Sequence, residues 1–202
     1  MAIAAKVLLV EHLFDQLEKE MTTFQNATKM SCVAGCGKCC TTPSIEASPL
    51  EFLPWAFHLY LNGEAENTLE ELKQKSSTLC HIYKPLNIID SNQGRCTNYK
   101  YRGLICRLFG YAASKDQYGK LRIATCRIIK EGQNEHFLKT TEDISNGLNI
   151  PVFSNYYMQL SNIDFILGKI MVPVNLALKM AIEEVLHYYA YRPFPENLKE
   201  IA

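Results

Sequence analysis

Apolar residues recur at spacings of three and four from the start of the chain: Val7, Leu8, Val10, Leu13, Phe14, Leu17 and Met21 form one stripe. That period predicts an amphipathic helix from about Ala2 to Lys29. Ser48-Pro49 reads as an N-cap followed by proline at the first helical position, with Leu50, Phe52, Leu53, Phe57 and Tyr60 behind it. Pro54 is expected to shorten or bend that helix, and Asn62-Gly63 to close it. Ala65 to Ser77 predicts a second, more exposed helix. Between Cys80 and Lys130 the helical period is lost, and short β-type runs, Leu104 to Ala113 and Lys120 to Thr125, flank a turn near Asp116 to Gly119. These predict a small hairpin. Helices return with Ser154 to about Gly168, and Val174, Leu178, Ala181, Val185, Leu186 and Tyr189 make a final core stripe. The expected fold is a mainly helical α+β domain, with a cysteine-rich loop and a small hairpin packed between N- and C-terminal helices. One domain over 1–202 is expected, with its centre at about 30–130 and a helical part at about 131–202.

Composition narrows the function classes. Hydrophobic residues make up 48% of the 202, and 21 Lys+Arg balance 21 Asp+Glu. A formal charge of zero gives no global field to attract nucleic acid or an anionic membrane. Met1 to Val10 is apolar, but it has no basic segment before it and no small-residue cleavage pattern after it, so it reads as helix and not as a leader. Ile163 to Ile182 is interrupted by Asp164, Gly168, Lys169, Pro173, Asn175 and Lys179, short of the ~20 apolar residues of a membrane span. A cytoplasmic protein is the expectation. In a reducing compartment, eight cysteines point to metal or redox chemistry and away from a disulfide framework.

Four of them, Cys32, Cys36, Cys39 and Cys40, fall within nine residues, and the others stand singly at Cys80, Cys96, Cys106 and Cys126. Thiolates must converge on a tetrahedral ion or an iron-sulfur cluster from several directions, and a loop with Gly35 and Gly37 can wrap one centre. Adjacent Cys39 and Cys40 do not easily point the same way, so eight thiols support either one site with spare ligands or two sites. Between Gly94 and Lys130 the chain carries nine basic residues and one acid, Asp116. Four thiolates around Zn²⁺ or a 4Fe-4S core leave about −2, which nearby cations offset. Arg102, Arg107 and Arg127 are the candidates to flank the sulfurs. A solvated face, or a nucleic-acid surface with Tyr99, Tyr101, Phe109 and Tyr111 interleaved, is the competing reading of this run.

The order Cys32 to Cys40, Cys80, Gly94-Arg95-Cys96, Tyr99-x-x-Arg102-Gly103-x-x-Cys106-Arg107-Leu108-Phe109 and Cys126 resembles the YkgJ-type CxxCxxCC cysteine-cluster family over roughly residues 30 to 130. Two departures stand out: three residues separate Cys32 from Cys36 where the family has two, and Gly103 stands where proline is common. The resemblance implies a zinc or iron centre held by these cysteines. Flagellin lysine methylases of the same broader group, similar in carrying an iron-sulfur centre, imply a protein-modifying alternative, with a protein as substrate.

Other chemistries share these residues. Cys32-x3-Cys36-x2-Cys39 has the spacing of radical S-adenosylmethionine enzymes, but Lys38 replaces the usual aromatic residue and no strand precedes the loop. Cys36-Gly-Lys-Cys39 has the spacing of a dithiol couple, which would make the chain a thiol redox or sensor protein with a protein redox partner. It lacks the strand-to-helix setting of a thioredoxin-like site. His81, beside Cys80, could complete a Cys3His zinc site. His12, His58 and His187 read as surface or packing residues, and Glu46 and Glu51 as exposed carboxylates able to ligate or act as acids. No Ser-His-Asp arrangement, P-loop or HExxH motif is present.

Overall fold

The computed structural model describes residues 1–75, 77–86 and 93–195. The mainly helical α+β expectation holds. Helix α1, Ile3–Thr28, buries Val7, Val10, Leu13, Phe14, Leu17, Met21 and Phe24 along one side, as its period requires. It stops where Lys29 turns left-handed at φ 58° and its N–H donates to the Gln25 carbonyl at 2.8 Å. The chain emerges from this turn directly into the cysteine loop.

After the loop comes the two-residue strand β1, Glu46–Ala47, and then a 3-10 turn, Pro49–Phe52, capped by Ser48. Pro54 does not bend a continuous helix. It occupies the first turn of a new one, α2 (Leu53–Leu61), where its missing N–H removes no bond. Helix α3, Ala65–Gln74, ends before the expected Ser77, and position 76 of that expectation lies outside the described residues. Strands β2 (Tyr83–Pro85) and β3 (Gly94–Cys96) pair antiparallel, with Tyr83 opposite Cys96. Helix α4, Leu104–Leu108, corrects the expected β-run over Leu104 to Ala113, of which only the end is extended. Leu104 and Leu108, one helical turn apart, are both fully buried, and five residues were too few to reveal that period.

The expected hairpin is present as β4 (Ala112–Lys115) and β5 (Leu121–Ala124), and the Asp116 carboxylate closes its turn by accepting from the Tyr118 and Lys120 N–H groups at 2.9 Å. Short helices α5 (Arg127–Gly132) and α6 (Asn134–Ser145) follow. The single helix expected from Ser154 is two: α7 (Phe153–Ile163) and α8 (Phe165–Lys169), separated by Asp164, which caps α8 and pairs with Lys6 at 2.6 Å. Strand β6, Val172–Pro173, pairs with β1, and α9 (Val174–Tyr189) closes the helical part. One core joins α1, α2, α7 and α9 around Trp55, Phe57, Leu160, Leu178 and Ile182, each almost without solvent contact. Cys80 and Cys96 pack against the edge of this core, so the cysteine region is a cap on it. No helix among the described residues is long and apolar enough to cross a membrane.

Candidate metal centre

All eight cysteines are described, and none is disulfide-bonded. Backbone contacts gather their segments. The Cys80 N–H donates to the Cys40 carbonyl at 3.1 Å, and the Tyr83 N–H to the Cys80 carbonyl at 3.1 Å. Cys36 bridges antiparallel to Gln93, and the Gly94 N–H donates to the Gly35 carbonyl at 2.9 Å, so the cysteine loop extends the β2–β3 ladder. The buried Tyr83 ring fills the space over Gly37 and Gly94, where a Cβ on either glycine would collide with it. On the other flank, the Gln133 amide exchanges hydrogen bonds with the Ser31 backbone, and the Cys32 N–H donates to the Tyr111 hydroxyl at 2.6 Å. Gln133 ends the helix that Cys126 opens, which brings Cys126 toward the loop. Gly94→Ala is expected to lower stability by about 1–3 kcal/mol, the range of an overpacked core, and to loosen this seam. Urea denaturation checks it, and an unchanged midpoint would contradict the contact.

The thiols influence one another in overlapping sets. Cys39 has Cys126, Cys32 and Cys36 as its charged-state neighbours, and the Cys32 and Cys36 side chains are hydrogen-bonded. Cys40, one residue on, has Cys80 and Cys96 first, with Cys39 and Cys36 behind them. Cys106 has Cys80, Cys40 and Cys96 near it. Burial, and then this crowding of like groups, pushes Cys39 up to about 11 and Cys40 up to about 12. Burial likewise lifts Cys80 to about 11, and Cys106 rises well above the usual thiol range. Cys106 as a residue is nonetheless exposed to solvent. Among the described residues, no three His, Cys, Asp or Glu side chains are gathered closely enough to hold an ion as they stand. The sulfurs form loose groups, and metal binding itself supplies the free energy to draw such ligands together.

The arginines divide as well. Arg102 and Arg107 are buried, and both meet the Glu18 carboxylate at 3.2 Å. Arg107 also donates to the carbonyls of Arg102, at 3.1 Å, and Lys100, at 2.6 Å, and lies over the Phe14 ring. Arg102 lies over Tyr99, and its charge reaches Cys96, while Arg107 is coupled to Cys106. The buried Arg102 Nε finds no acceptor among the described residues, an orphaned donor on the residue whose charge reaches Cys96. This donor and the unpaired thiols are the features that fit a metal or cluster. Arg127, by contrast, is exposed and paired with Glu131 at 2.6 Å. Arg107→Ala is expected to cost about 3 kcal/mol by stranding the carbonyls of Arg102 and Lys100. Arg107→Lys should recover only part of it, because an ammonium lacks the guanidinium fork. Equal denaturation midpoints for wild type and Arg107→Ala would contradict the network.

The remaining candidates have other partners. The His81 ring sits 6.5 Å from the Trp55 ring and 3.6 Å from Glu71. Of Tyr99, Tyr101, Phe109 and Tyr111, offered as a base-stacking row, Tyr101 stacks on His58 and Tyr111 accepts from the Cys32 N–H, while Tyr99, over which Arg102 lies, and Phe109 are exposed. Glu46 is exposed as expected, but Glu51 is not: it is fully buried. Its Oε1 accepts from the Ser48 N–H at 2.8 Å and its Oε2 from the Ile105 N–H at 3.0 Å. Burial raises the Glu51 carboxyl to about 7 against these hydrogen bonds. The spacing Ser48-x-x-Glu51 is a capping box, the signal in the sequence that could have placed Glu51 inside.

Cysteines from separate segments, gathered by short antiparallel strand pairs with two buried arginines nearby, make a cysteine-rich cap on the helical core. A comparison with protein families matches residues 31–136, just over half the chain, to CxxCxxCC, described as a proposed zinc- or iron-chelating domain. The chain belongs to this family. No curated protein and no solved structure matches it.

Proposed function

We propose that this chain is a cytoplasmic metal-binding protein, folded as one domain over 1–202, that holds an iron-sulfur cluster or zinc through its cysteines. One observation carries the reading: cysteines spread from Cys32 to Cys126 lie near enough to influence one another's charge, with none of them disulfide-bonded. Sulfur-only donors suit both metals. Eight free thiols suit a reducing compartment. When bound, such a centre supplies either a fixed cross-link between segments or, as a cluster, a one-electron redox group.

The chain's own residues do the rest. Tyr83, wedged over Gly37 and Gly94, and Tyr111, on Cys32, hold the loop in place. Arg102 and Arg107 set positive charge beside Cys96 and Cys106. In the cluster form, a protein redox partner or protein substrate would be met where a cysteine is open to solvent, as Cys32 is. Cys36→Ser and Cys39→Ser are each expected to lower the metal retained per chain on anaerobic purification. Full occupancy in both variants would remove the loop from the ligand set.

A further inference from the structure

We propose that the tip of the β4–β5 hairpin, with Lys115, Tyr118, Lys120 and Arg122, is a docking surface for the acidic face of another protein, a carboxylate-rich segment that also offers an apolar side chain to the Tyr118 ring. The inference goes beyond the metal-binding reading and does not depend on it.

The tip is rigid, and the fold makes no use of its side chains. The Asp116 carboxylate accepts from the Tyr118 and Lys120 N–H groups at 2.9 Å and from Arg122 Nε at 3.1 Å. Gly119 supplies the left-handed step of the turn at φ 79°. Toward the root, the strands bury Ala112 and Ala113 and pack Leu121 and Ile123 against Phe24, Ile144 and Ile150. Tyr118 has no such cover and is 79% exposed. Lys115 and Lys120 are exposed too, and among the described residues no carboxylate pairs with either ammonium group. A tyrosine and cations carried on a fixed backbone suit an interface anchor, because little backbone freedom remains to be lost on binding.

Charge selects the partner. Between Gly94 and Lys130 nine bases stand against one acid, so the rest of the chain holds 12 bases against 20 acids. Four thiolates around a divalent ion return about −2 to the first segment, which stays positive. An acidic protein is repelled by the remainder of the chain and steered to this end. A single-stranded nucleic acid fits less well, since it needs successive stacking rings along a track of free cations. Here Tyr101 is stacked on His58, Tyr111 is engaged by the Cys32 N–H, and Asp116 stands among the cations of the turn. The placement also suits a partner of the cysteine cap. β4 begins next to Tyr111, which holds Cys32, and Cys126 follows shortly after β5. The four residues of β4 span roughly 14 Å, so a protein seated on the tip lies alongside the cap.

The test uses the full-length reduced chain and, as probe, a short fluorescent peptide of glutamates interrupted by leucine. Binding is read by fluorescence anisotropy, and carbodiimide cross-links between peptide carboxylates and lysine amines are mapped by mass spectrometry. Cross-links should concentrate on Lys115 and Lys120 over other exposed lysines such as Lys19 and Lys139. Lys115→Glu combined with Lys120→Glu should weaken binding about tenfold and flatten its salt dependence. Tyr118→Ala should also weaken it about tenfold while leaving the salt dependence as it was. A peptide of glutamates alone should be indifferent to Tyr118→Ala. No measurable binding, cross-links spread evenly over the exposed lysines, or unchanged affinity in the variants would overturn the proposal. An oligonucleotide that binds more tightly than the peptide and displaces it would reassign the tip to nucleic acid. Self-association of the chain that is lost in the lysine variant would reassign it to a second copy. Because the cross-link map is read on the wild-type chain, a variant that fails to fold does not spare the proposal. None of these outcomes changes the metal content expected of the cysteines, so the two readings fail separately.

Discussion

Stripping the metal should lower the melting temperature by about 10 °C while most of the helical circular dichroism survives until that lower transition. With free metal 1,000-fold above its Kd, binding to the folded state alone stabilises by about 4 kcal/mol, and for a chain of this size each kcal/mol moves Tm by roughly 2–4 °C. The helical signal should persist because the core of α1, α2, α7 and α9 is built from apolar side chains such as Trp55, Phe57, Leu178 and Ile182, with Cys80 and Cys96 only at its edge. The cap is different. Its strands are two to four residues long, and their ladders are too short to hold themselves. Chelation should therefore release the cap first, raising thiol reactivity and amide exchange in Cys32 to Cys40 and Tyr83 to Cys96. Calorimetry and hydrogen exchange, with and without a chelator, check this. An unchanged Tm, or simultaneous loss of helix and cap, would contradict a metal-closed cap on an independent core.

Glu51→Ala should destabilise the protein by about 3 kcal/mol and, in addition, reduce the metal held at Cys106. The carboxylate joins two elements. One oxygen completes the cap of the Pro49–Phe52 turn through Ser48, and the other accepts the Ile105 N–H at the start of α4. Gly103, at the N-cap of α4, has no side chain with which to do this locally, and a Cβ there would meet Glu51 Oε2 at 2.9 Å. Glu51 thus stands in as a cap from a distance and sets the helix that presents Cys106 and Arg107. Removing it strands two N–H groups, each worth about 1–3 kcal/mol when left unmade in a buried setting. Glu51→Gln keeps one acceptor and turns an amide N–H toward a donor, so it should recover little. A purely structural role would change the denaturation midpoint and leave the metal ratio per folded chain at the wild-type value. The account predicts that both fall.

The long elements were readable because their pattern repeats. Twenty-six residues of α1 carry seven turns of the same face, and the α9 stripe from Val174 to Tyr189 does likewise. The Asp116 to Gly119 turn announced the β4–β5 hairpin through its own side-chain chemistry. The short elements escaped for the opposite reason. Leu104–Leu108 holds little more than one turn, and what makes it helical is burial of Leu104 and Leu108 together with a carboxylate more than fifty residues away. The β2–β3 pair was invisible because its defining contact, Tyr83 over Gly37 and Gly94, is a tertiary one. At the site, the sequence offered the cysteines as donors and Arg102, Arg107 and Arg127 as flanking cations, and the structure buries the first two arginines and pairs both with Glu18. Which cysteines lie near one another depended on the fold, since residues as distant as Cys40 and Cys80 are tied by a backbone hydrogen bond. Arg127 was indistinguishable in sequence from its buried counterparts, because exposure of a cation depends on whether an acid such as Glu131 meets it in solvent.

The most direct measurement is the iron, zinc and acid-labile sulfide content of the full-length protein purified without oxygen. The account predicts stoichiometric metal: about four irons and four sulfides per 4Fe-4S cluster, or one zinc per four thiolates without sulfide. The value should fall when Cys36 or Cys39 is replaced by serine. Protein that is folded, fully reduced at all eight cysteines and free of both metals, and that takes up neither on reconstitution, would contradict it and favour a dithiol redox role for Cys36 and Cys39.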